Sequence, residues 1–316
     1  MEKYTLDIVT SALNEEECVL ELFQRVEEVM ASHTNYDWRL IFCDNNSTDR
    51  TWEIIQRIAA ESGKVLGIRM SRTFSLDAAF TMGIDIATAD ALVIMTSDLQ
   101  DPPESISDFL REFELGSDQV VARVVRRQHV PIVRRALSGV FYWIANRATN
   151  DMIPKGVSDF RLLSRRAYLG ARQMQERHRF LRGLLAWTGF KTTVIEIERP
   201  KRYAGESKFM GAKLATVVRL AIAAILSHTS GPLVFLSVFG FILSSLSFLI
   251  TLIASTYWFV SGVPFAGFGT IVGIVMLGFS LTMLAIGVIA QYIALIYDEV
   301  KARPHYIISE RTDGQF

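Results

Sequence analysis

The sequence predicts an α/β fold, with a mostly parallel sheet and helices on both faces, followed by membrane helices. Short apolar runs alternate with helical patterns through residues 1–125, which is typical of right-handed βαβ units. These runs end in polar turn residues, as buried parallel strands do. The last third differs, because no Asp, Glu, Lys or Arg occurs between Leu220 and Tyr297.

Five strands and four helices are expected in the first 125 residues. The predicted strands are Leu6–Ser11, Leu40–Asp44, Val65–Met70, Ala91–Thr96 and Gln119–Val124. The predicted helices lie near Glu15–Ala31, Thr51–Ser62, Leu76–Thr88 and Glu104–Leu115. Asn14 precedes three glutamates, and acids favour a helix N-terminus. Phe190–Glu198 alternates like one more strand, and Gly156–Leu163 fits a strand or a helix.

Composition narrows the class of protein. Lys and Arg number 33, as do Asp and Glu, so the formal net charge is zero and a nucleic-acid binder is not expected. Neither a Gly-x-Gly-x-x-Gly motif nor a Walker lysine loop occurs, which disfavours dehydrogenases and P-loop NTPases. The two cysteines, Cys18 and Cys43, are expected to be reduced and packed.

The uncharged last third predicts a membrane hairpin. Residues 211–229 form a candidate amphipathic helix on the membrane surface. Two apolar runs at 230–298 are each long enough to span a bilayer, and Ser261–Pro264 is a short turn between them. Lysines and arginines flank the hairpin on both sides, so both flanks are expected in the cytoplasm. We therefore expect a cytosolic domain at 1–210, a cytoplasmic tail at 299–316 and a multi-pass protein of the cytoplasmic (inner) membrane.

The stretch after the fourth predicted strand carries the strongest chemical signal. The apolar run Ala91–Met95 changes abruptly into Thr96-Ser97-Asp98-Leu99-Gln100-Asp101. Ligands of open α/β sheets bind just beyond such strand ends. Two carboxylates and an amide, those of Asp98, Asp101 and Gln100, supply hard oxygen ligands that suit Mg²⁺ or Mn²⁺ bound together with a diphosphate. A solvated acidic loop is the alternative interpretation.

Several motifs occur in order along the chain. They are Asn14-Glu15-Glu16, Asp44-Asn45-Asn46-Ser47-Thr48-Asp49, Ser97-Asp98-Leu99-Gln100-Asp101-Pro102-Pro103, Ser158-Asp159-Phe160-Arg161, Arg202-Tyr203-Ala204-Gly205-Glu206-Ser207-Lys208 and Ala302-Arg303-Pro304-His305-Tyr306. With them the chain resembles the polyprenyl-phosphate glycosyltransferases, which have a GT-A head and a two-helix membrane hairpin. It is most similar to the prophage-type bactoprenol glucosyltransferases, and dolichol-phosphate mannose synthases are more distant.

The resemblance implies a site for a UDP-sugar donor. The donor-binding residues that it implies are Ser11, Leu13, Glu15, Asp44, Asn45, Ser97 and Asp98. It also implies that Asp98 and Gln100 hold the divalent metal. The usual metal motif of the family is Asp-x-Asp-x-Gln, and Thr96 stands here in place of its first acid.

The acceptor implied by the resemblance is a lipid phosphate. Arg202, Ser207 and Lys208 are expected to bind that phosphate, and Asp159 to orient it or to approach the anomeric carbon. The expected catalytic residues are Asp98, Asp159, Arg202 and Lys208. A phosphate monoester is largely ionised at neutral pH, so a strong general base is not required.

The function expected is therefore inverting transfer of a hexose, with glucose favoured, from a UDP-sugar to undecaprenyl phosphate. A processive polysaccharide synthase is one alternative. A non-catalytic membrane scaffold or a small transporter subunit is another, to which the replacement of an acid by Thr96 lends support. Assembly into a homo-oligomer is left open.

Overall fold

The computed structural model describes residues 3–125, 157–174, 176, 181–200 and 301–314, with single, almost entirely helical positions between 239 and 300. The chain divides into two compact units. The first comprises Met1–Val217 together with Arg303–Phe316, and the second comprises Val218–Ala302. The candidate site lies in the first unit.

One eight-stranded sheet organises the first unit. Its strands are β1 (Tyr4–Ala12), β2 (Tyr36–Asp44), β3 (Val65–Met70), β4 (Ala91–Thr96), β5 (Gln119–Val124), β6 (Val157–Ser164), β7 (Thr192–Ile197) and β8 (Ile308–Arg311). Their spatial order is β7-β5-β6-β4-β1-β2-β3-β8. β1 pairs in parallel with β2 and β4, as do β2 with β3 and β5 with β7. β6 and β8 run antiparallel to their neighbours, so the predicted mostly parallel sheet is confirmed.

Helices cover both faces of this sheet. They are α1 (Val19–Ala31), α2 (Thr51–Glu61), α3 (Leu76–Ile86), α4 (Ile106–Glu114, after a 3₁₀ turn at Pro103–Ser105), α5 (Arg165–Arg172) and α6 (Leu181–Trp187). Successive strand residues point to opposite faces, so Ile8 joins the core beneath α1, α2 and α4. Its neighbour Val9 joins the core beneath α3, α5 and α6.

A close approach of backbone to side chain fixes α3 on β1. A Cβ atom at Gly83 would lie only 2.2 Å from Cγ1 of Val9, well inside van der Waals contact. Glycine at position 83 therefore lets α3 lie directly on the central strand. This packing places the start of α3 near the carboxyl edge of the sheet.

Most predicted element boundaries agree with the structure to within a few residues, and three differences stand out. The first helix begins at Val19 and not at Glu15, because Asn14 adopts a left-handed φ of 50° and residues 16–18 form a turn. The run 156–163, which fitted either a strand or a helix, contains most of strand β6. The third difference is at the C-terminus, where part of the predicted separate tail forms strand β8 of the sheet.

The predicted membrane segments lie largely outside the described residues. The interfacial helix at 211–229 lies wholly outside them, and only single positions of the hairpin at 230–298 are described. Within the described residues, no helix is both long and apolar enough to cross a membrane. Cys18 and Cys43 are buried free thiols, as expected.

Candidate active site

Three loops at the carboxyl edge of the sheet contain residues with left-handed backbone conformation. Asn14 follows β1 with φ 50°, Asn46 follows β2 with φ 61°, and Leu99 follows β4 with φ 58°. Asparagine tolerates this conformation, but it is unfavourable for a buried leucine. Because such strain persists only where surrounding structure enforces it, its concentration at one edge marks a candidate functional site.

The loops after β1 and β2 are joined by hydrogen bonds. The backbone N–H of Asn14 donates to Oγ of Ser47 at 2.9 Å, and Oδ1 of Asn14 accepts from the backbone N–H of Thr48 at 2.8 Å. The backbone N–H of Glu15 donates to Oγ1 of Thr51 at 2.8 Å. The side chain of Asn14 is therefore engaged in loop pairing, which explains why it does not cap a helix starting at Glu15.

Asp44 is the buried carboxylate of the second loop. Both of its oxygens accept from the backbone N–H of Ser47 at 3.2 Å, and Oδ2 lies 3.3 Å from Nε of Arg69. Burial raises the pKa of Asp44 above its usual range, although the hydrogen bonds from Ser47 and the charge of Arg69 oppose this shift. The carboxylate therefore has a strong requirement for donors.

Asn45, the next residue, has a structural use. Its Nδ2 donates to the carbonyl of Phe74 at 2.9 Å, and its Oδ1 accepts from the backbone N–H of Phe74 at 2.7 Å. The amide thus ties the β2 loop to the segment that leads into α3. The donor contact expected of Asn45 stays a prediction.

The segment after β4 joins the same edge. Oγ of Ser97 donates to the carbonyl of Ser11 at 2.8 Å, so the ends of β1 and β4 are held together. Oγ1 of Thr96 lies 2.8 Å from Oδ1 of Asp98 and 2.8 Å from Oδ2 of Asp101. Thr96 therefore bridges two carboxylates at the position where the resemblance implied an acid.

Asp101 is the buried carboxylate of this segment and binds both Thr96 and Arg199. It is fully buried, and its Oδ1 accepts from Nη2 of Arg199 at 2.6 Å. Burial raises the pKa of Asp101, while Arg199 and the donors of Thr96 oppose that shift. Among the described residues, the buried Nε of Arg199 has no hydrogen-bond partner. Arg199 stands just before the expected acceptor loop in the sequence.

A second cluster of charges surrounds Asp159 on β6. Nε and Nη2 of Arg182 donate to Oδ1 and Oδ2 of Asp159 at 2.5 and 2.6 Å, which is a bidentate pair. Burial alone would raise the pKa of Asp159, but Arg182, Arg161 and Arg199 together hold it below its usual range. The carboxylate is therefore ionised at neutral pH.

Asp77, in the first turn of α3, faces this cluster. Burial and the charge of Asp159 raise its pKa to about 6, against the opposing effects of the Leu181 backbone N–H, Arg182 and Arg161. Burial lowers the pKa of Arg161 to about 10. Nη2 of Arg161 donates to the Ser158 carbonyl at 3.0 Å. Two carboxylates with pKa values shifted in opposite directions thus lie close together.

Comparison with known proteins identifies the family. Residues 7–169 match the family described as glycosyl transferase family 2. The chain belongs to glycosyl transferase family 2. It is 33% identical to the prophage bactoprenol glucosyl transferase homolog of Escherichia coli (strain K12), over 96% of this chain and 98% of that protein. It is also 33% identical to the bactoprenol glucosyl transferase of Shigella phage SfII, over 98% and 99% of the two chains.

The fold of this glycosyltransferase is GT-A. A crystal structure of a mycobacterial protein aligns with a TM-score of 0.50 and 18% identity, covering 72% of this chain and 75% of that one. The predicted resemblance, the GT-A α/β fold and the identification as a glycosyltransferase are therefore confirmed.

The structure brings all eight expected donor and metal residues of the glycosyltransferase to one sheet edge. Those placed there are Ser11, Leu13, Glu15, Asp44, Asn45, Ser97, Asp98 and Gln100. Asp159 lies in β6, where Arg182 engages both of its oxygens. The expected acceptor residues Arg202, Ser207 and Lys208 lie outside the described residues.

Four charged residues of this region were not among the expected site residues. They are Arg69, Asp77, Arg182 and Arg199. Each is a single charge on a strand, a helix or a strand end, with no motif of its own to mark it. Only an acid or arginine at an otherwise apolar position could have pointed to them, and that signal is weak.

Proposed function

We propose that this glycosyltransferase transfers glucose from UDP-glucose to a polyprenyl phosphate. The observation that carries the proposal is that hydrogen bonds join the ends of β1 and β4, and the loops after β1 and β2, at one sheet edge in a family 2 chain. The sugar and the lipid are supported by relatives named bactoprenol glucosyl transferases, which match this chain over almost its full length.

The donor would lie across the carboxyl ends of β1, β2 and β4. The Asp44 loop, which Asn14 and Arg69 hold in place, would bind the nucleoside. Ligands of open α/β sheets bind just beyond this carboxyl edge. Asp98 and Gln100 would then face the diphosphate.

The residues after β4 fit a divalent metal that shares its ligands with the substrate. Within the described part of the chain, no group of three carboxylate, histidine or cysteine side chains forms a metal site. The hydroxyl of Thr96 and the backbone N–H of Gln100 both donate to the same oxygen of Asp98, Oδ1. Mg²⁺ is commonly held by one or two carboxylates plus substrate phosphates, which matches this donor set. When bound, Mg²⁺ or Mn²⁺ would neutralise charge on the diphosphate.

The chemistry requires little from a general base. An oxygen of the lipid phosphate forms a bond to the anomeric carbon as the bond from that carbon to the UDP oxygen breaks, with inversion. The attacking phosphate is already ionised at neutral pH. The protein must therefore hold two anions close together, and Arg202, Ser207 and Lys208 are the proposed acceptor ligands. Asp159 would orient cationic groups around the acceptor, since Arg182 holds it ionised.

We also propose that the protein is anchored in the cytoplasmic membrane by a hairpin at 230–298, with both termini in the cytoplasm. The charge-free run between Leu220 and Tyr297 supports this proposal, as do the basic flanks on either side. A lipid acceptor would be reached most directly from such an anchor.

Membranes that contain the protein should test the proposal. They are incubated with a panel of labelled sugar nucleotides and undecaprenyl phosphate, and the extracted lipid is analysed. We expect label from UDP-glucose in the lipid fraction and loss of at least 100-fold in rate for Asp98→Ala, about 3 kcal/mol of transition-state stabilisation. Asp108→Ala is the matched control, because Asp108 is an exposed acid on α4. Transfer at the wild-type rate by Asp98→Ala would contradict the assignment.

A further inference from the structure

Three charged residues lie side by side across three neighbouring strands. Asp44 of β2 is in register with Arg69 of β3, and Arg69 is in register with Glu310 of β8. Cross-strand neighbours in register present their side chains on the same face. From the inside of the sheet to its edge, the row therefore consists of an acidic, a basic and an acidic side chain.

Contacts connect this row into a chain. Nε of Arg69 lies 3.3 Å from Oδ2 of Asp44, and its Nη2 donates to the Ser47 carbonyl at 3.0 Å. Its Nη1 lies 3.4 Å from Oε1 of Glu310. Nε1 of Trp52 donates to Oε2 of Glu310 at 3.0 Å, and so fixes the outer carboxylate. Every nitrogen of the Arg69 guanidinium is thereby engaged.

The C-terminal segment has further specific attachments to the sheet. The backbone N–H of Gly67 donates to Oγ1 of Thr312 at 3.0 Å, and the N–H of Thr312 donates to the Gly67 carbonyl at 3.0 Å. A Cβ at position 67 would approach Cγ2 of Thr312 to 2.9 Å and Cγ2 of Ile55 to 2.6 Å, so glycine makes room for the segment. On the other flank, the hydroxyl of Tyr306 donates to Oδ2 of Asp85 at 3.1 Å.

We propose that strand β8 is part of the donor site, where Glu310 is a positioning residue that acts through Arg69 on the Asp44 loop. This inference rests on the proposed function, which places the nucleoside at that loop. With Glu310 in place, Arg69 is held between two carboxylates and a carbonyl, and the Ser47 backbone is held toward Asp44. Without it, the guanidinium has one fewer constraint and the loop is less ordered before a nucleotide binds.

Strand β8 is synthesised after every other element of the proposed donor site. β8 follows residues 218–302 in the sequence, so the donor site is complete only after that unit has been synthesised. A chain that ends before Arg303 would lack Glu310. We therefore expect the donor site to be incomplete in such a chain.

Calorimetric titration of UDP in the presence of Mn²⁺, with the full-length protein in detergent, tests the inference. We expect Glu310→Gln to weaken UDP affinity about two- to fivefold, within the range for a partly exposed ion pair. Asp313→Asn is the matched control, because it removes a different ion pair of the same segment, that between Arg311 and Asp313. Hydrogen exchange of residues 44–50 should be faster in Glu310→Gln and unchanged in Asp313→Asn.

A double-mutant cycle with Arg69→Gln shows whether Glu310 acts through Arg69. The two substitutions should be non-additive, with the double variant no weaker for UDP than Arg69→Gln alone. Equal UDP affinity in wild type and Glu310→Gln, with equal hydrogen exchange in the loop, would overturn the inference and leave the proposed function intact. Absence of UDP binding by the wild-type protein would overturn both.

Discussion

At the scale of single residues, Thr96 shows how a departure from a family pattern is accommodated. Its hydroxyl bridges Asp98 and the fully buried Asp101, and its backbone N–H also donates to Asp101 at 3.1 Å. A third acid at position 96 would face two others. Thr96 thus contributes a donor where the usual motif would contribute a charge, and the proposed metal site would depend more on the diphosphate for its negative ligands.

Removing the Thr96 hydroxyl should lower the stability of the protein and weaken metal binding. We expect Thr96→Val to lower the free energy of unfolding by about 1–3 kcal/mol, because the buried Asp101 loses a donor. The half-saturating Mn²⁺ concentration for activity should rise as Asp98 loses its orientation. Thr192→Val on the exposed start of β7 is the control, and thermal unfolding with metal titration is the measurement. Equal stability of the two variants would show that the bridge is unimportant.

A second residue-scale prediction concerns pH. The pKa of Asp77 is raised to about 6, so the folded state binds more protons than the unfolded chain between about pH 4 and 6. Asp77 therefore makes stability fall as pH rises through this window, and its effect is constant above it. Asp77→Asn should remove this decrease in stability with rising pH.

The unfolding midpoint of Asp77→Asn relative to wild type should therefore be higher at pH 7.5 than at pH 4.5. Asp108→Asn, an exposed acid of α4, should show little of this dependence. A difference between Asp77→Asn and wild type that does not change with pH would contradict the assignment of the raised pKa.

At the scale of elements, α6 is connected to β6 through one bidentate ion pair. Arg182 is the second residue of α6, and Asp159 is the third residue of β6. The side chains are 28% and 21% exposed, so solvent screens the pair only partly. The backbone N–H of Leu181 also donates to Asp77 of α3, and the three elements therefore meet at one cluster.

We expect Arg182→Gln to lower the free energy of unfolding by about 2–3 kcal/mol and to raise the pKa of Asp159, since both carboxylate oxygens lose a charged donor. Arg182→Lys should restore only part of the loss, because an ammonium does not reproduce the forked contact. Arg111→Gln, at an exposed pair on α4, is the control. Chemical denaturation and the pH profile of transfer measure the two effects, and full rescue by lysine would argue against a bidentate role.

At the scale of the whole molecule, the chain leaves the GT-A unit and returns to it. Residues 303–316 belong to the same compact unit as residues 1–217, and β8 completes its sheet. If residues 230–298 form the proposed hairpin, both of its ends must lie on one side of the membrane. The return of the C-terminal segment to the GT-A unit agrees with this topology, because that unit contains the chain before the hairpin.

The topology can be measured directly. Reporter fusions after Phe316 and within the turn at Ser261–Pro264 should report opposite sides of the membrane, with the C-terminal fusion cytoplasmic. A fusion within the exposed loop at Gly63 reports the side on which the GT-A unit lies and serves as the reference. Reporters on the same side at both test positions would exclude the hairpin.

The sequence by itself determined the α/β class, the positions of the first five strands along the chain and the sheet edge that contains the candidate site. Those features depend on local patterns: apolar runs such as Ala91–Met95 require burial, and the polar residues that follow must leave the sheet. It also determined the family, because the motifs at Asp44 and Asp98 are continuous in the chain.

Only the tertiary structure decided which charges meet. Arg182 lies 23 positions from Asp159, Arg199 lies 98 from Asp101, and Glu310 lies 241 from Arg69. No local pattern encodes these pairs, because they arise only when elements far apart in the sequence pack together in the folded chain. The short run Ile308–Arg311 is a strand for the same reason: its hydrogen bonds to β3 hold it extended, and its own residues carry too weak a pattern to predict it.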